Sequence, residues 1–218
     1  MSPTHHPLEQ LREDYRLAVL DEEHCDADPI RQFDQWFQDA KNSALREPNA
    51  MTLSTVNGNG QPSGRIVLLK GIEANAFIFY TNYDSRKGRE LAANPRCALT
   101  FHWADLERQV RIEGVVERVS KQVSEAYFKS RPKGSRLGAV VSKQSEEILS
   151  RQPLERRLSE LEQEFAHSDE VPMPLTWGGY KVLPNLLEFW QGRTNRLHDR
   201  IFYHLTAAGD WRLGRLSP

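Results

Sequence analysis

Cysteine is scarce: Cys25 and Cys97 are the only two in 218 residues, and they share no CxxC spacing. That argues against a disulfide framework or a zinc knuckle and fits a reducing compartment. A dominant charge is missing too. Lys and Arg number 29 against 30 Asp and Glu, so the chain lacks the positive field that grips a long phosphate backbone, and no nucleic-acid partner is expected. No apolar run approaches membrane-spanning length, and MSPTHHPLEQLREDY has no apolar leader core, so a cytoplasmic protein without a membrane partner is expected. GxxxxGK, HExxH and GxSxG are absent, and GNGQPSG at 58–64 has the wrong spacing for GxGxxG and sits in a turn. Nothing implies a metal.

What is present suffices for a folded core, with 39% hydrophobic residues. One domain is expected over residues 25–218. The first two dozen residues and AHSDEVPMP at 166–174 are the expected mobile parts. DPIRQFDQWFQDA reads as an amphipathic helix capped by Asp28, with Pro29 at its first position. AMTLSTV, the turn NGNG and SGRIVLLK read as a β-hairpin. Further strands are predicted at 75–81, 96–103, 107–119, 178–183, 186–192, 200–205 and 210–216. Short helices are predicted at SRKGRELAA, SKQVSEAYFKS and PLERRLSELEQEF. Many short strands with short links favour an antiparallel barrel with flanking helices, a mainly β, α+β class, because each parallel pair would need a crossover.

Four segments concentrate candidate chemistry. In SGRIVLLK, alternation places Arg65 on one strand face and Lys70 on the other, so the two cations serve separate anionic groups or form an edge strand with charged ends. In TNYDSRKGREL, Ser85 caps a helix whose first turn carries Arg86 and Lys87. Two cations there oppose the helix dipole, which suits a bound phosphate or else an exposed helix start. YFKSRPKGSRLG spaces Tyr127, Arg131 and Ser135 four apart around Pro132, a phenol, a guanidinium and a hydroxyl for a second phosphate, or a basic solvated helix end. RTNRLHDR packs three arginines and a histidine into eight positions. If extended, it puts Arg196, His198 and Arg200 on one face, suited to a planar anionic ring and a proton.

Taken together, RIVLLK, FYTNYDSRKG, LERQVRIEG, YFKSRP, VSKQS, WGGY, EFWQGRTNRLHDR and the terminal RL-x-P resemble the pyridoxamine 5′-phosphate oxidases, in order from about residue 11 to the end. The resemblance implies an FMN-binding split β-barrel and a homodimer with FMN in clefts at the subunit interface. It implies oxidation of pyridoxamine 5′-phosphate or pyridoxine 5′-phosphate to pyridoxal 5′-phosphate, with O2 as acceptor, H2O2 as product and ammonia released from the amine. By the same resemblance FMN is held by Arg65, Ile66, Val67, Leu68, Leu69, Lys70, Tyr80, Thr81, Arg86, Lys87, Gln109, Gln144, Ser145, Trp190 and Arg200. The substrate phosphate falls to Lys70, Tyr127, Arg131 and Ser135, with Arg196 and His198 as the catalytic pair at the substrate ring. LREDY resembles the family's mobile substrate cover, which makes residues 1–24 a lid and Arg12 and Tyr15 its contacts.

Two departures stand out. SRLGAV replaces a frequent SQIGAW, so Arg136 and Val140 are expected to alter the rim near the FMN site, and DEEH stands where relatives are often basic. The reaction expected is hydride transfer from the substrate C4′ to N5 of FMN, then reoxidation by O2, with the protein supplying orientation and charge. A flavin or F420-type reductase of the same barrel would lack the Tyr127, Arg131, Ser135 and RLH set. A non-catalytic FMN or pyridoxal phosphate store would show no turnover.

Overall fold

A computed structural model describes residues 14–218. Its elements run α1 (Pro29–Asn42), β1 (Ala50–Val56), β2 (Pro62–Leu68), β3 (Gly71–Glu73), β4 (Ala76–Asn82), α2 (Arg86–Ala93), β5 (Arg96–Trp103), β6 (Arg108–Arg118), α3 (Lys121–Ser130), α4 (Lys133–Val141), α5 (Gln152–Glu164), β7 (Trp177–Gln191), β8 (Asp199–Leu205) and β9 (Trp211–Arg215). The strands are ordered β2-β1-β5-β6-β7-β4-β3, with β8 on β7 and β9 on β8. The described residues group into two compact units. One comprises the chain up to Pro48, His102–Arg111 and Leu186–Pro218; the other comprises Asn49–Phe101 and Ile112–Asn185.

In the second unit, β1 and β2 form the predicted antiparallel hairpin, with Val56 opposite Pro62 and Leu53 opposite Arg65. Burial along β1 alternates with period two, so Met51, Leu53 and Thr55 point inward. β4 is buried along most of its length and pairs with the first part of β7, placing Tyr80 opposite Gly179. Phe128, Leu137, Leu161, Val171 and Trp177 form a separate apolar cluster that carries α3, α4 and α5. Gly88 lets α2 lie against the chain before it: a Cβ there would sit 2.0 Å from the Tyr83 carbonyl oxygen.

In the first unit, the Asp28 carboxylate accepts the Ile30 N–H at 2.9 Å, the cap the sequence predicts for α1. Phe33, Trp36 and Ala40 are the buried apolar face of this helix, and the Trp36 ring meets Phe189 edge-on at 5.2 Å. β8 and β9 form the second hairpin.

Four local expectations are corrected. The predicted strands at 178–183 and 186–192 are one 15-residue strand, β7. Pro184 lies between the stretch paired with β4 and the stretch paired with β8, so its missing N–H removes no bond from either ladder. Residues 133–141, read as a loop, form α4 behind Pro132. Residues 194–196 are a 3-10 turn with Asn195 and Arg196 at φ of 56° and 61°, so Arg196, His198 and Arg200 do not share one strand face. β2 ends at Leu68, and the Lys70 N–H turns to donate to the Ile78 carbonyl at 2.8 Å, which breaks the alternation that separated Arg65 from Lys70.

Candidate active site

A cavity of about 1000 Å³ opens in the second unit, and Arg65, Ile66, Val67, Leu68, Lys70, Tyr80, Thr81, Arg86, Lys87, Gln144 and Ser145 line it together with Tyr127, Arg131 and Ser135. Both basic clusters that the sequence singles out therefore face one space. Arg65 and Lys70 border the same cavity. Leu69 is buried behind its wall, with its N–H donated to the Asn49 carbonyl at 2.8 Å. Arg136 and Val140 are absent from the lining. Arg136 is buried instead and donates to Asp169 Oδ1 at 2.6 Å, which replaces the expected change at the rim.

Part of the cavity lining is built on the start of α2. Ser85 caps the helix through the Gly88 N–H at 3.3 Å, and Arg86 and Lys87 occupy its first turn. Lys87 is buried, and its Nζ donates to Gln144 Oε1 at 3.1 Å, Thr81 Oγ1 at 3.2 Å and Ser85 Oγ at 3.4 Å, all neutral oxygens. Burial first, then the neighbouring Arg65, pushes its pKa down to about 8. Ser145, beside Gln144 in the cavity lining, holds a left-handed φ of 73°, a strained conformation.

A second part of the lining is aromatic and cationic. Tyr80 stacks on Tyr127 at 3.8 Å and on Trp177 at 5.5 Å. The Arg131 guanidinium lies 4.9 Å over the Trp177 ring, while its backbone N–H caps the end of α3 by donating to the Phe128 carbonyl at 3.2 Å. Its Nη1 is buried with no hydrogen-bond partner among the described residues. Burial lowers its pKa from the ordinary arginine value, with Tyr127 opposing. An orphaned buried N–H on a cation is costly and calls for an acceptor, and an anionic one fits best.

Sequence reasoning missed Glu90, a buried carboxylate that binds Arg65 and Arg86 from behind the wall. Its signal was the i,i+4 pairing of Arg86 and Glu90 in SRKGRE. Burial would raise its pKa, but hydrogen bonds from Thr55, Ser63, Arg86 and Arg65 hold it at about 2.

Gln109, Trp190, Arg196, His198 and Arg200 belong to the first unit. There, Tyr15, Trp190 and His198 form an aromatic cluster, with centroids 5.8 Å apart for Tyr15 to either partner and 4.6 Å for Trp190 to His198. The Arg193 N–H donates to His198 Nδ1 at 3.1 Å, so the neutral ring carries its proton on Nε2. Burial, then the charge of Arg196, lowers the His198 pKa, with Asp199 opposing. Arg200 Nε donates to Glu188 Oε1 at 2.8 Å, and its Nη1 donates to the Ser217 carbonyl at 2.9 Å. Arg12 lies outside the described residues. Among the described residues no helix is long and apolar enough to cross a membrane, and no group of three or more metal-ligating side chains occurs.

Comparison with known proteins accounts for both units. The sequence model for pyridoxamine 5′-phosphate oxidase matches residues 37–165, and that for the pyridoxine 5′-phosphate oxidase C-terminal dimerisation region matches residues 177–218. Proteins named pyridoxine/pyridoxamine 5′-phosphate oxidase from Cupriavidus metallidurans and Cupriavidus pinatubonensis are 54% and 56% identical to this chain. Each alignment covers 97% of it and 99% of the relative. A crystal structure of PhzG from Burkholderia lata 383, in complex with tetrahydrophenazine-1-carboxylic acid, superposes with a TM-score of 0.86 at 27% identity, covering 93% of this chain and 99% of that one. With matched sequence across most of its length and the expected antiparallel split-barrel architecture, the chain belongs to the pyridoxamine 5′-phosphate oxidase family.

Proposed function

We propose that this chain binds FMN and oxidises pyridoxamine 5′-phosphate and pyridoxine 5′-phosphate to pyridoxal 5′-phosphate, with O2 as the final acceptor. The observation that carries the reading is that two basic groups line one cavity: Arg86 and Lys87 from α2, and Tyr127, Arg131 and Ser135 from α3 and α4. A flavin and a substrate that each bear a phosphate match two such groups. The donors fit phosphate: Lys87 is a buried cation surrounded by neutral oxygens, and Arg131 holds an orphaned N–H. The relatives above 50% identity carry the pyridoxine/pyridoxamine name.

FMN, when bound, supplies the two-electron acceptor chemistry that no side chain here offers. Lys87 and Arg86 hold its phosphate, while Lys70, Tyr127, Arg131 and Ser135 hold the substrate phosphate and so fix the substrate's position along the cavity. Trp190, Arg196, His198 and Arg200 reach the same reaction from the partner of a homodimer, a reading supported by the matched dimerisation region. Arg196 lies against the substrate ring. His198 serves as a neutral Nε2–H donor, because its Nδ1 is occupied by the Arg193 N–H. Tyr15, packed on His198 and Trp190, then closes the ring site from water.

The test is turnover. FMN-loaded protein in air should form pyridoxal 5′-phosphate and H2O2 in equal amounts from either phosphorylated vitamer, and little from unphosphorylated pyridoxine. Absence of product from both phosphorylated vitamers would defeat the reading and favour a different oxidation substrate within the family.

A further inference from the structure

We infer that Glu90, itself braced by Arg65, is a positioning residue that sets the cavity's preference for a phosphorylated over an unphosphorylated flavin by aiming the Arg86 guanidinium. This rests on the reading that the cavity takes FMN. Glu90 lies one turn beyond Arg86 on α2 and is 5% exposed. Its Oε1 accepts from Arg86 Nε at 2.9 Å; its Oε2 accepts from Ser63 Oγ at 2.7 Å, Arg65 Nη2 at 3.1 Å and the Thr55 hydroxyl.

The two arginines are used differently. Arg65 spends both terminal nitrogens on the protein: Nη1 on the Leu53 carbonyl at 3.2 Å and on Thr55, Nη2 on Ser63 and Glu90. It is a strut between β2 and the carboxylate. Among the described residues Arg86 commits only Nε, which leaves its two terminal nitrogens as a planar fork at the cavity wall. That side chain is 56% exposed, and a long exposed arginine samples many rotamers unless it is anchored. Glu90 supplies the anchor, and four donors from β1, β2 and α2 fix Glu90 in turn. Preorganisation of this kind raises the affinity of the planar guanidinium for a bidentate acceptor such as a phosphate.

Glu90 also has an opposing effect, because its negative charge lowers the local potential that an anion feels. The neighbouring cations Arg65, Arg86 and Lys87, all in the cavity lining, outnumber it three to one. Its charge is also matched at hydrogen-bond distance by two guanidiniums. Orientation therefore outweighs the lost potential.

The experiment measures the affinities of flavin-stripped protein for FMN and for riboflavin, which differ by the phosphate alone. Glu90→Gln keeps the volume and one acceptor. It should weaken FMN binding about tenfold and leave riboflavin binding within about twofold of wild type. In an Arg86→Ala background the same change should leave the FMN-to-riboflavin preference unaltered, because the residue through which Glu90 acts is gone. Equal losses for both flavins in Glu90→Gln would show a structural role alone, and a preference that holds or rises would show that charge dominates; either overturns the inference. If Glu90→Gln fails to fold, Arg86→Ala decides by itself: its preference should fall at least about tenfold, and an unchanged preference overturns the inference. A wild-type protein that binds neither flavin, or riboflavin as tightly as FMN, would instead defeat the FMN reading on which it rests.

Discussion

The buried ammonium of Lys87 lies 3.1 Å from the side-chain oxygen of Gln144 and makes no hydrogen bond to a carboxylate among the described residues. A cation in that setting suits an incoming anion, and burial moves its pKa down to about 8. The sign follows directly. Below that value Lys87 is charged and attracts phosphate; above it, the site must take up a proton to bind. FMN affinity should fall as pH rises from 7 to 9, while riboflavin affinity stays flat. Lys87→Ala should lose ~1.5–3 kcal/mol of FMN binding, roughly one to two decades, together with that pH dependence. Fluorescence titration of flavin against pH measures both.

Arg131 should matter to the substrate and not to the flavin. It lies over Trp177 and keeps a buried N–H without a partner among the described residues, on the α3–α4 part of the cavity lining. Arg131→Met should lower kcat/KM for pyridoxine 5′-phosphate by about one to two decades, mostly through KM, and leave the FMN dissociation constant unchanged. Steady-state kinetics with saturating FMN separates the two.

These assignments were partly legible in the residues. The NGNG hairpin, the Asp28 and Ser85 caps and the paired cations of SRKG depend on local chemistry, and each formed where it was read. α4 was missed because Pro132, Gly134 and Gly138 are poor helix formers, while Leu137 buries in a cluster with Phe128, Leu161 and Trp177 that is distant in sequence. RTNRLHDR was misread as extended because nothing in its alternation reveals positive φ at two consecutive residues, Asn195 and Arg196. Glu90 escaped notice because its four donors come from Thr55, Ser63, Arg65 and Arg86, three of them from strands that only the fold brings to α2.

His198 should be neutral at pH 7 with its proton on Nε2. The Arg193 N–H occupies Nδ1, and burial with Arg196 beside it lowers the pKa from the ordinary histidine value. As pH falls through that lowered value, protonation of Nδ1 must break the Arg193 contact, so the loop at 193–198 should loosen and its stability contribution should disappear on the acid side. Nitrogen NMR of labelled histidine should show a midpoint below 6.5 and a protonated Nε2 at neutrality. His198→Asn should reduce kcat while the flavin spectrum remains that of the wild type.

Asp169 should be worth more to stability than its surface position suggests. Its carboxylate and carbonyl are the partners of the buried Arg136, whose Nε has none among the described residues. Asp169→Ala should cost about 1–3 kcal/mol, read as a lowered melting temperature, because it leaves a buried guanidinium with fewer acceptors. Since Arg136 sits beside Ser135 on α4, KM for the phosphorylated substrate should rise as well.

The most direct measurement is an anaerobic one. FMN-loaded protein is mixed in the absence of oxygen with pyridoxine 5′-phosphate, then with pyridoxamine 5′-phosphate, and the flavin band is followed in a single turnover. The account predicts that the band bleaches with each vitamer, that one pyridoxal 5′-phosphate forms per flavin, and that Arg131→Met needs far more substrate to bleach. A flavin that stays oxidised with both vitamers, or one that bleaches as readily with unphosphorylated pyridoxine, would contradict the assignment of the cavity's two basic groups to two phosphates.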